Sequence, residues 1–184
     1  MKKSPKEEPK DAVALLKADH RKAEELFAAF ENAKTSRQKA SLAREICVEL
    51  SVHAQIEEEI FYPACSGEVE DQSLVEEAYV EHDGAKVLIA EIHAAEAGAE
   101  FYDAKVKVLS EMIKHHVKEE ERRVDGLFAQ AKAAGLDVDA LGERLAARKE
   151  ELMAEVKANG LPVPITRSFT GHDITLGDPV ERAA

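Results

Sequence analysis

The sequence predicts an all-α protein, an up-down-up-down four-helix bundle followed by a fifth C-terminal helix and an extended C-terminal arm. The chain has 184 residues, only 5% of them aromatic and none of them Trp, and it is rich in Ala, Glu, Leu and Lys, a bias that favours helix. Apolar residues recur at alternating three- and four-residue spacing along four long stretches. Short connections with breaker residues separate these stretches, as in an antiparallel bundle.

Each helix is predicted from its cap and its breaker. We expect Asp11 to cap the first helix, Pro63 to end the second, Gly98 and Gly135 to end the third and fourth, and Asp137 to cap the fifth. The expected helices cover residues 11–33, 36–62, 71–97, 99–134 and 138–158. The predicted organisation is a charged N-terminal segment (1–10), the bundle (11–135), the additional helix (136–160) and the arm (161–184).

The arm is predicted from a change in composition. It is rich in Pro and Gly, which disfavours regular structure. Its apolar residues nevertheless suggest that it packs on another surface: Val163, Ile165, Phe169, Ile174 and Leu176.

Charge and hydropathy limit the function classes. Asp and Glu number 37 against 25 Lys and Arg, so the net charge of −12 disfavours binding to phosphate backbones and favours cations. Membrane spans need apolar runs of about 18 residues, and the sequence has none. An N-terminus without an apolar core predicts no signal peptide. Cys47 and Cys65 lie too far apart on one predicted helix to pair, which fits a reducing, cytoplasmic location.

The four apolar stripes of the bundle each contain one histidine. These are His20, His53, His82 and His116. Two of the stripes also hold a glutamate four residues later on the same helix face, Glu57 and Glu120. When the helices run antiparallel, the distances of the histidines from the helix ends place all of them in about one layer of the core.

A bound metal would give the buried polar groups of such a layer a partner. One core histidine is usually only hydrogen-bonded, and an H-x-x-x-E pair is a weak signal, but six converging polar groups left unpaired would cost several kcal/mol. Six ligands exceed the four of a structural zinc and predict a dinuclear site, for which imidazole and carboxylate favour iron, with manganese or zinc possible. The ferritin-like Glu-x-x-His pattern does not occur, because no histidine follows a glutamate at that spacing.

At these residues the sequence resembles the hemerythrin-like HHE cation-binding family. The run from His53 to Pro63 resembles its H-x-x-x-E-E…(Y/F)-P motif, and the run from His115 to Glu121 resembles its second motif. Asp19-His20-Arg21 and Glu81-His82-Asp83 resemble its single-histidine positions. The resemblance covers about residues 11–130. It implies a four-helix bundle that holds a non-heme di-iron centre with one or two bridging oxygen species.

The sequence departs from the family at two points. Hemerythrins proper have a histidine four residues after the third-helix histidine, where this chain has Lys86. We therefore expect one position open to water, to another carboxylate such as Glu24, or to an incoming small molecule. The second motif lacks its usual Phe-Pro ending, and Val124 to Phe128 stand there.

Several nearby residues are expected to lie outside the layer. His116 fits the apolar stripe better than its neighbour His115, which we place at the surface or beside the ligands. His93 and His172 are expected at the surface. Tyr79 and Tyr102 could donate to a ligand, but core packing is the favoured role. The remaining acidic residues of the two motifs are expected to form solvated faces: Glu58, Glu59, Glu119 and Glu121.

Three functions remain open on the sequence. The first is a non-heme di-iron protein that binds or responds to oxygen, peroxide or nitric oxide, in sensing, storage or detoxification. The second is a di-iron enzyme with peroxidase, catalase-like or nitric-oxide-reducing activity. The third is an iron-responsive interaction module, with a possible homodimer through the arm. The expected partner in each case is a small diatomic ligand or peroxide, with no nucleic acid and no membrane. A metal-free bundle with a polar layer is the remaining alternative.

Overall fold

The computed structural model describes residues 11–169, and every regular element in that range is helical. The predicted all-α bundle with an additional helix is confirmed. The bounds are α1 Ala12–Asn32, α2 Ser36–Ile56, a π-helical turn Glu57–Phe61, α3 Tyr62–Cys65, α4 Ser73–Ala94, α5 Tyr102–Glu121, α6 Leu127–Ala133 and α7 Val138–Asn159. His172, Ile174 and Leu176 lie outside the described residues.

The predicted caps form as side-chain hydrogen bonds. Asp11 accepts a bond of 2.7 Å from the backbone N–H of Ala14, and Asp137 accepts one of 3.0 Å from that of Ala140. These bonds satisfy helix N–H groups that have no partner within the helix, which fixes where α1 and α7 begin.

The sequence predicted that the second helix ends at Pro63, but the helical run continues past this residue. It continues to Cys65 through the π turn, in which the N–H of Tyr62 bonds to the carbonyl of Glu57, five residues back. Proline in an α-helix clashes with the carbonyl four residues earlier, here that of Glu59. The wider π turn relieves this clash, so the helix can continue past the proline.

The predicted fourth helix is wrong in its length. It ends at Glu121, and a separate short helix begins at Leu127. Gly126 explains the break, because a Cβ there would lie 2.6 Å from the backbone N and O of Arg122. Only glycine permits that close approach, which reverses the chain so that α6 folds back under the bundle.

Two apolar clusters fill the interior, one on each side of the histidine level. One contains Leu16, Ile56 and Phe128, and the other contains Phe27, Leu50 and Ile89. The α7 helix packs along α1, α2 and the π turn, adding Leu141, Leu145 and Leu152 to the first cluster. The polar layer thus lies between two dry regions.

The cysteines are buried and free, Cys65 in the first cluster and Cys47 in the second. Within residues 11–169, no helix is long and apolar enough to cross a membrane.

Candidate metal centre

The structure brings all six predicted residues together in the layer between the apolar clusters. Each is at most 6% exposed to solvent. Each histidine comes from the predicted helix: His20 from α1, His53 from α2, His82 from α4 and His116 from α5. Glu120 also lies on α5, and Glu57 is the first residue of the π turn that follows α2.

The four histidines form two pairs whose Nε2 atoms face each other. His20 and His53 approach to 3.1 Å and His82 and His116 to 3.3 Å. The two glutamates lie between the pairs. Glu57 Oε2 is 3.1 Å from His53 Nε2 and 3.5 Å from His82 Nε2. This places Glu57 where one carboxylate reaches a histidine of each pair.

Glu120 is the counterpart of Glu57 on the opposite helix. Its Oε2 lies 3.3 Å from His20 Nε2 and 3.5 Å from His116 Nε2. The layer therefore has an approximate two-fold arrangement, in which two carboxylates each join one histidine of the first pair to one of the second. Donors in this arrangement can hold two cations side by side.

The donor atoms fit metal ions. Ligand atoms that lie within 4.8 Å of one another form two groups, His20, His53, Glu57 and Glu120, and Glu57, His82 and His116. Two imidazole nitrogens bound at about 2.1 Å and at right angles lie about 3 Å apart, which matches the observed separations. Within the described residues, Glu57 Oε1 and Glu120 Oε2 are buried without a hydrogen-bond partner. A cation would satisfy these oxygen atoms.

A carboxylate lies at the outer nitrogen, Nδ1, of every histidine. The Nδ1 atoms of His20 and His116 are each 2.8 Å from a carboxylate oxygen, and those of His82 and His53 are 3.1 and 3.5 Å away. A hydrogen bond at Nδ1 leaves the Nε2 lone pair free to face the centre of the layer. The carboxylates, in the same order, belong to Glu121, Glu81, Glu58 and Asp19.

Two of these carboxylates were predicted wrongly as solvated faces. Glu58 is 5% exposed and also binds Lys86, at 2.6 Å, while Glu121 binds Arg21, at 2.7 Å. Both lie next in sequence to a predicted ligand and turn from it toward a histidine on another helix. The 3.6-residue period placed them on an outer face but could not show that a neighbouring helix covers that face.

The additional helix, α7, also contacts the outer ring, by which we mean the four carboxylates at the Nδ1 atoms of the histidines. Lys149 on α7 forms an ion pair with Asp19, the carboxylate beside His53. Arg148 on the same helix pairs with Glu59 at 2.7 Å. The α7 helix therefore supports the histidine layer as well as the first apolar cluster.

Sequence reasoning missed Tyr62, whose hydroxyl reaches the centre of the layer. Its oxygen is 3.0 Å from Glu120 Oε1, 3.2 Å from His82 Nε2 and 3.3 Å from Glu57 Oε2. In a regular α-helix, five residues after Glu57 is a different face, but the π turn returns Tyr62 to the face of Glu57. The available signal was the Tyr-Pro ending of the first motif.

The expectation of a position left open at Lys86 stays a prediction, and the surroundings of Lys86 and Tyr62 bear on it. The Lys86 amine pairs with Glu58, at 2.6 Å, and with Asp83, at 3.3 Å, on the outer side of His82. Glu24 lies at the surface, paired with Arg21 at 3.4 Å. The additional oxygen donor at the layer is the tyrosine hydroxyl.

The remaining candidates lie outside the layer. His115 is 64% exposed and touches only the outer carboxylate Glu81, at 3.4 Å. His93 is exposed. The ring of Tyr79 packs edge-on against Tyr62, and Tyr102 packs on Phe30 in the far apolar cluster, in keeping with core roles.

The protonation of the layer follows from burial and from its neighbours. Burial lowers the pKa of His20, but the carboxylates of Glu120, at 3.3 Å, and Glu121, at 2.8 Å, outweigh this effect and raise the pKa to about 9. Burial lowers the pKa of His53 to about 4. Burial, and then the charge of Glu120, raises the pKa of Glu57 well above its usual value. At neutral pH the metal-free layer therefore holds a proton on His20, and the raised pKa of Glu57 favours its protonated form.

We expect the affinity for a divalent metal to rise with pH up to about 9. His20, whose pKa is about 9, is protonated at pH 7, so the metal must displace that proton, which lowers the apparent affinity about tenfold per pH unit below the pKa. Calorimetric titration with Zn²⁺ in buffers of different ionisation enthalpy measures the protons released. Equal affinity at about pH 6 and pH 8 would contradict this expectation.

A small cavity borders the histidine layer on the side of the second apolar cluster. Its volume is about 20 Å³, which is room for one water or a diatomic molecule. All four histidines line it, together with apolar side chains that include Leu50, Ile89 and Ile113. A small molecule can therefore approach the Nε2 side of the layer in a dry environment.

The fold and the buried histidine–carboxylate layer define a helical-bundle protein with a cation-binding centre. The family model for the hemerythrin HHE cation-binding domain matches residues 11–127, so the chain belongs to that family. A crystal structure of an HHE cation-binding domain-containing protein from Mycobacterium kansasii superposes with a TM-score of 0.66. It covers 82% of this chain and 94% of that one at 22% identity, a likeness that supports the fold.

A curated relative is a protein from Nostoc sp. named DNA nickase. It is 28% identical over 110 residues, which cover 58% of this chain and 30% of the relative. The chain thus spans less than a third of that protein's length.

Proposed function

We propose that this protein binds two non-heme irons in the buried layer and uses them to bind or respond to oxygen, peroxide or nitric oxide, in sensing, storage or detoxification. The observation that carries the proposal is Glu57, which touches a histidine of each pair with one oxygen atom. A single-metal site has no need of a shared carboxylate, whereas a dinuclear site does. Manganese or zinc remain alternative metals.

The proposed ligands divide into two sets. His20 and His53 would hold one ion, His82 and His116 the other, and Glu57 and Glu120 would serve both. Imidazole with carboxylate and phenol oxygen suits iron, which would supply a coordination position for a small molecule.

Residues around the six proposed ligands would orient the imidazoles, limit the access of water and supply a further oxygen atom. The outer carboxylates at His20, His82 and His116 bond to Nδ1 and so leave Nε2 of each imidazole facing the layer. The apolar side chains of Leu50, Ile89 and Ile113 keep bulk water from the cavity beside the histidines. The hydroxyl of Tyr62 can donate a hydrogen bond at the centre of the layer or, once deprotonated, bind metal.

Protein reconstituted with Fe²⁺ without oxygen should carry about two irons per chain. After oxidation it should absorb in the near ultraviolet through charge transfer to iron. Elemental analysis and an optical spectrum of the purified protein measure both properties, with the metal-free protein as the blank. Iron near zero would remove the proposal, and one tightly held zinc would indicate a structural site instead.

Replacing Tyr62 by Phe tests whether the phenol is a ligand. A phenolate bound to ferric iron gives a charge-transfer band in the visible region, so Tyr62→Phe should lose that band while most of the iron remains. Tyr79→Phe is the matched control, because the Tyr79 ring packs on Tyr62. A band that survives in Tyr62→Phe, or disappears in Tyr79→Phe, would contradict the assignment.

A di-iron enzyme is the second candidate. The cavity beside the histidines favours it, because the cavity can place a peroxide or nitric oxide molecule next to the layer and away from water. Turnover of hydrogen peroxide or nitric oxide by the iron-loaded protein separates this candidate from a carrier or sensor.

The arm suggests the third candidate, an iron-responsive interaction module. Val163 and Ile165 on the arm are 86% and 78% exposed, so they are free to contact a partner or a second copy of the chain. The sequence expectation that the arm packs on another surface stays a prediction for these two side chains.

The net charge of −12 argues against DNA as a partner, because a DNA-binding surface is basic. The name of the Nostoc relative therefore supports no nuclease proposal for this chain.

A further inference from the structure

Residues 161–169, which we call the strap, run from the end of α7 across the gap between α2 and α4. The carboxylate of Asp83 anchors them. Its Oδ2 accepts bonds from the backbone N–H of Arg167 at 2.8 Å and of Ser168 at 2.6 Å, and from the Ser168 hydroxyl at 2.7 Å. Lys86 donates a further bond of 3.0 Å to the carbonyl of Ile165. Polar contacts thus hold the strap beyond Leu161, which packs on the second apolar cluster, since Val163, Ile165 and Phe169 remain exposed.

A cavity of about 500 Å³ lies beneath the strap. Its roof is the run from Leu161 to Ile165, and its floor is formed by α2 and α4, with Gln55, Ala90 and His93 among the lining residues. The anchor of the strap lies at the level of the metal layer, because Asp83 follows His82 directly.

The cavity beneath the strap and the cavity beside the histidines share a wall. Ser51, Lys86 and Ile89 line both of them. A side-chain movement at these three residues would join the two cavities. Such a movement is feasible because the side chain of Ser51 is small and that of Lys86 is flexible.

The charges along this path are balanced. The Lys86 amine lies 2.6 Å from Glu58 and 3.3 Å from Asp83, and Arg167 Nε lies 3.0 Å from Glu58. A path whose charged groups are paired with one another admits small uncharged molecules in preference to ions.

A second crevice also reaches the layer, between α4 and α5, but it is less suitable. Its volume is only about 10 Å³, and its lining includes the carboxylates of Glu77, Glu81 and Glu119. The larger and charge-balanced space is the one beneath the strap.

We propose that the cavity beneath the strap is the access path by which a small uncharged molecule, such as nitric oxide, dioxygen or hydrogen peroxide, reaches the histidine layer through the wall formed by Ser51, Lys86 and Ile89. This inference rests on the proposed di-iron function for its ligand. It adds the path, the wall residues and the preference for uncharged molecules.

A bulky side chain in the outer cavity tests the path. Ala90→Trp should lower both the association and the dissociation rate of nitric oxide at the diferrous protein, each about tenfold, and leave the equilibrium constant unchanged, because it obstructs the path and not the site. Ala94→Trp, one turn further along α4 and exposed, should leave both rates unchanged. Stopped-flow absorbance measures binding, and a scavenger of nitric oxide measures release.

A second measurement needs no metal. In Ser51→Cys the introduced thiol lies in the shared wall, and a small uncharged thiol reagent should modify it in the metal-free protein. Adding Ala90→Trp should slow that reaction about tenfold, and adding Ser168→Pro, which removes two of the donors to Asp83, should speed it. The native thiols interfere little, because burial raises the pKa of Cys47 and of Cys65 to about 12.

The outcomes are distinguishable. If the chain binds no iron, the nitric oxide signal is absent and the proposed function fails, while the thiol rates still decide the path. Nitric oxide rates that Ala90→Trp leaves unchanged, in a variant with wild-type thermal unfolding and iron content, would overturn the path. So would a thiol rate that is insensitive to both Ala90→Trp and Ser168→Pro.

Discussion

Glu57→Ala should abolish binding at both metal positions and lower the iron content from about two per chain to almost none. The reason is geometric, since one Glu57 oxygen touches a histidine of each pair. Removing it also takes away one of the two carboxyl groups that lie between the histidine pairs. Iron analysis after anaerobic reconstitution measures the effect.

Glu59→Ala is the matched control for Glu57→Ala. Glu59 belongs to the same π turn, but it is exposed and pairs with Arg148 on α7. An exposed ion pair contributes at most about 1 kcal/mol, so this variant should fold and keep its iron. If Glu57→Ala retains one equivalent of metal, Glu57 serves a single ion and the shared-carboxylate model is wrong.

His116→Ala should lose most of the bound iron, whereas His115→Ala should keep most of it. His116 is 3% exposed, with Nε2 in the layer, while His115 is 64% exposed and reaches only Glu81. Removing His116 also leaves Glu120 without one of its two imidazole contacts. The two adjacent variants differ in one position along the same helix, so each is the control for the other.

Metal content and circular dichroism on both variants separate a lost ligand from a lost fold. His116→Ala should keep its helical signal, because both apolar clusters remain in place. The reverse result, in which His115→Ala loses the iron, would require α5 to be rotated by about 100° from the observed orientation.

The layer could be predicted from the sequence because it depends on local periods alone. The spacing of four residues puts His53 with Glu57 and His116 with Glu120 on one face, and antiparallel helices of similar length bring the four histidines to one level. The break at Gly126 could not be predicted in the same way, because it depends on a close backbone approach to Arg122 that appears only in three dimensions.

The outer ring was beyond sequence reasoning for a different reason. Glu58 and Asp19 each act on a histidine of another helix, and the cation that holds Asp19 comes from α7, about 130 residues away along the chain. A helical period gives the face of a residue but not the neighbour that the face will meet. Tyr62 was missed because the π turn changes the period itself.

The π turn determines which deletions in this part of the chain the protein can tolerate. A one-residue deletion in a regular helix rotates everything beyond it by about 100°. Deleting Glu59 would instead convert the π turn to an α turn and keep Tyr62 on the face of Glu57, since the tyrosine would then follow at four residues. Pro63 would, however, meet the carbonyl of Glu58 at a cost of about 3 kcal/mol. The extra residue and the proline therefore form an epistatic pair: deleting Glu59 is costly while Pro63 is present, whereas deleting Glu59 and replacing Pro63 together restores an ordinary helix with the same metal-facing residues.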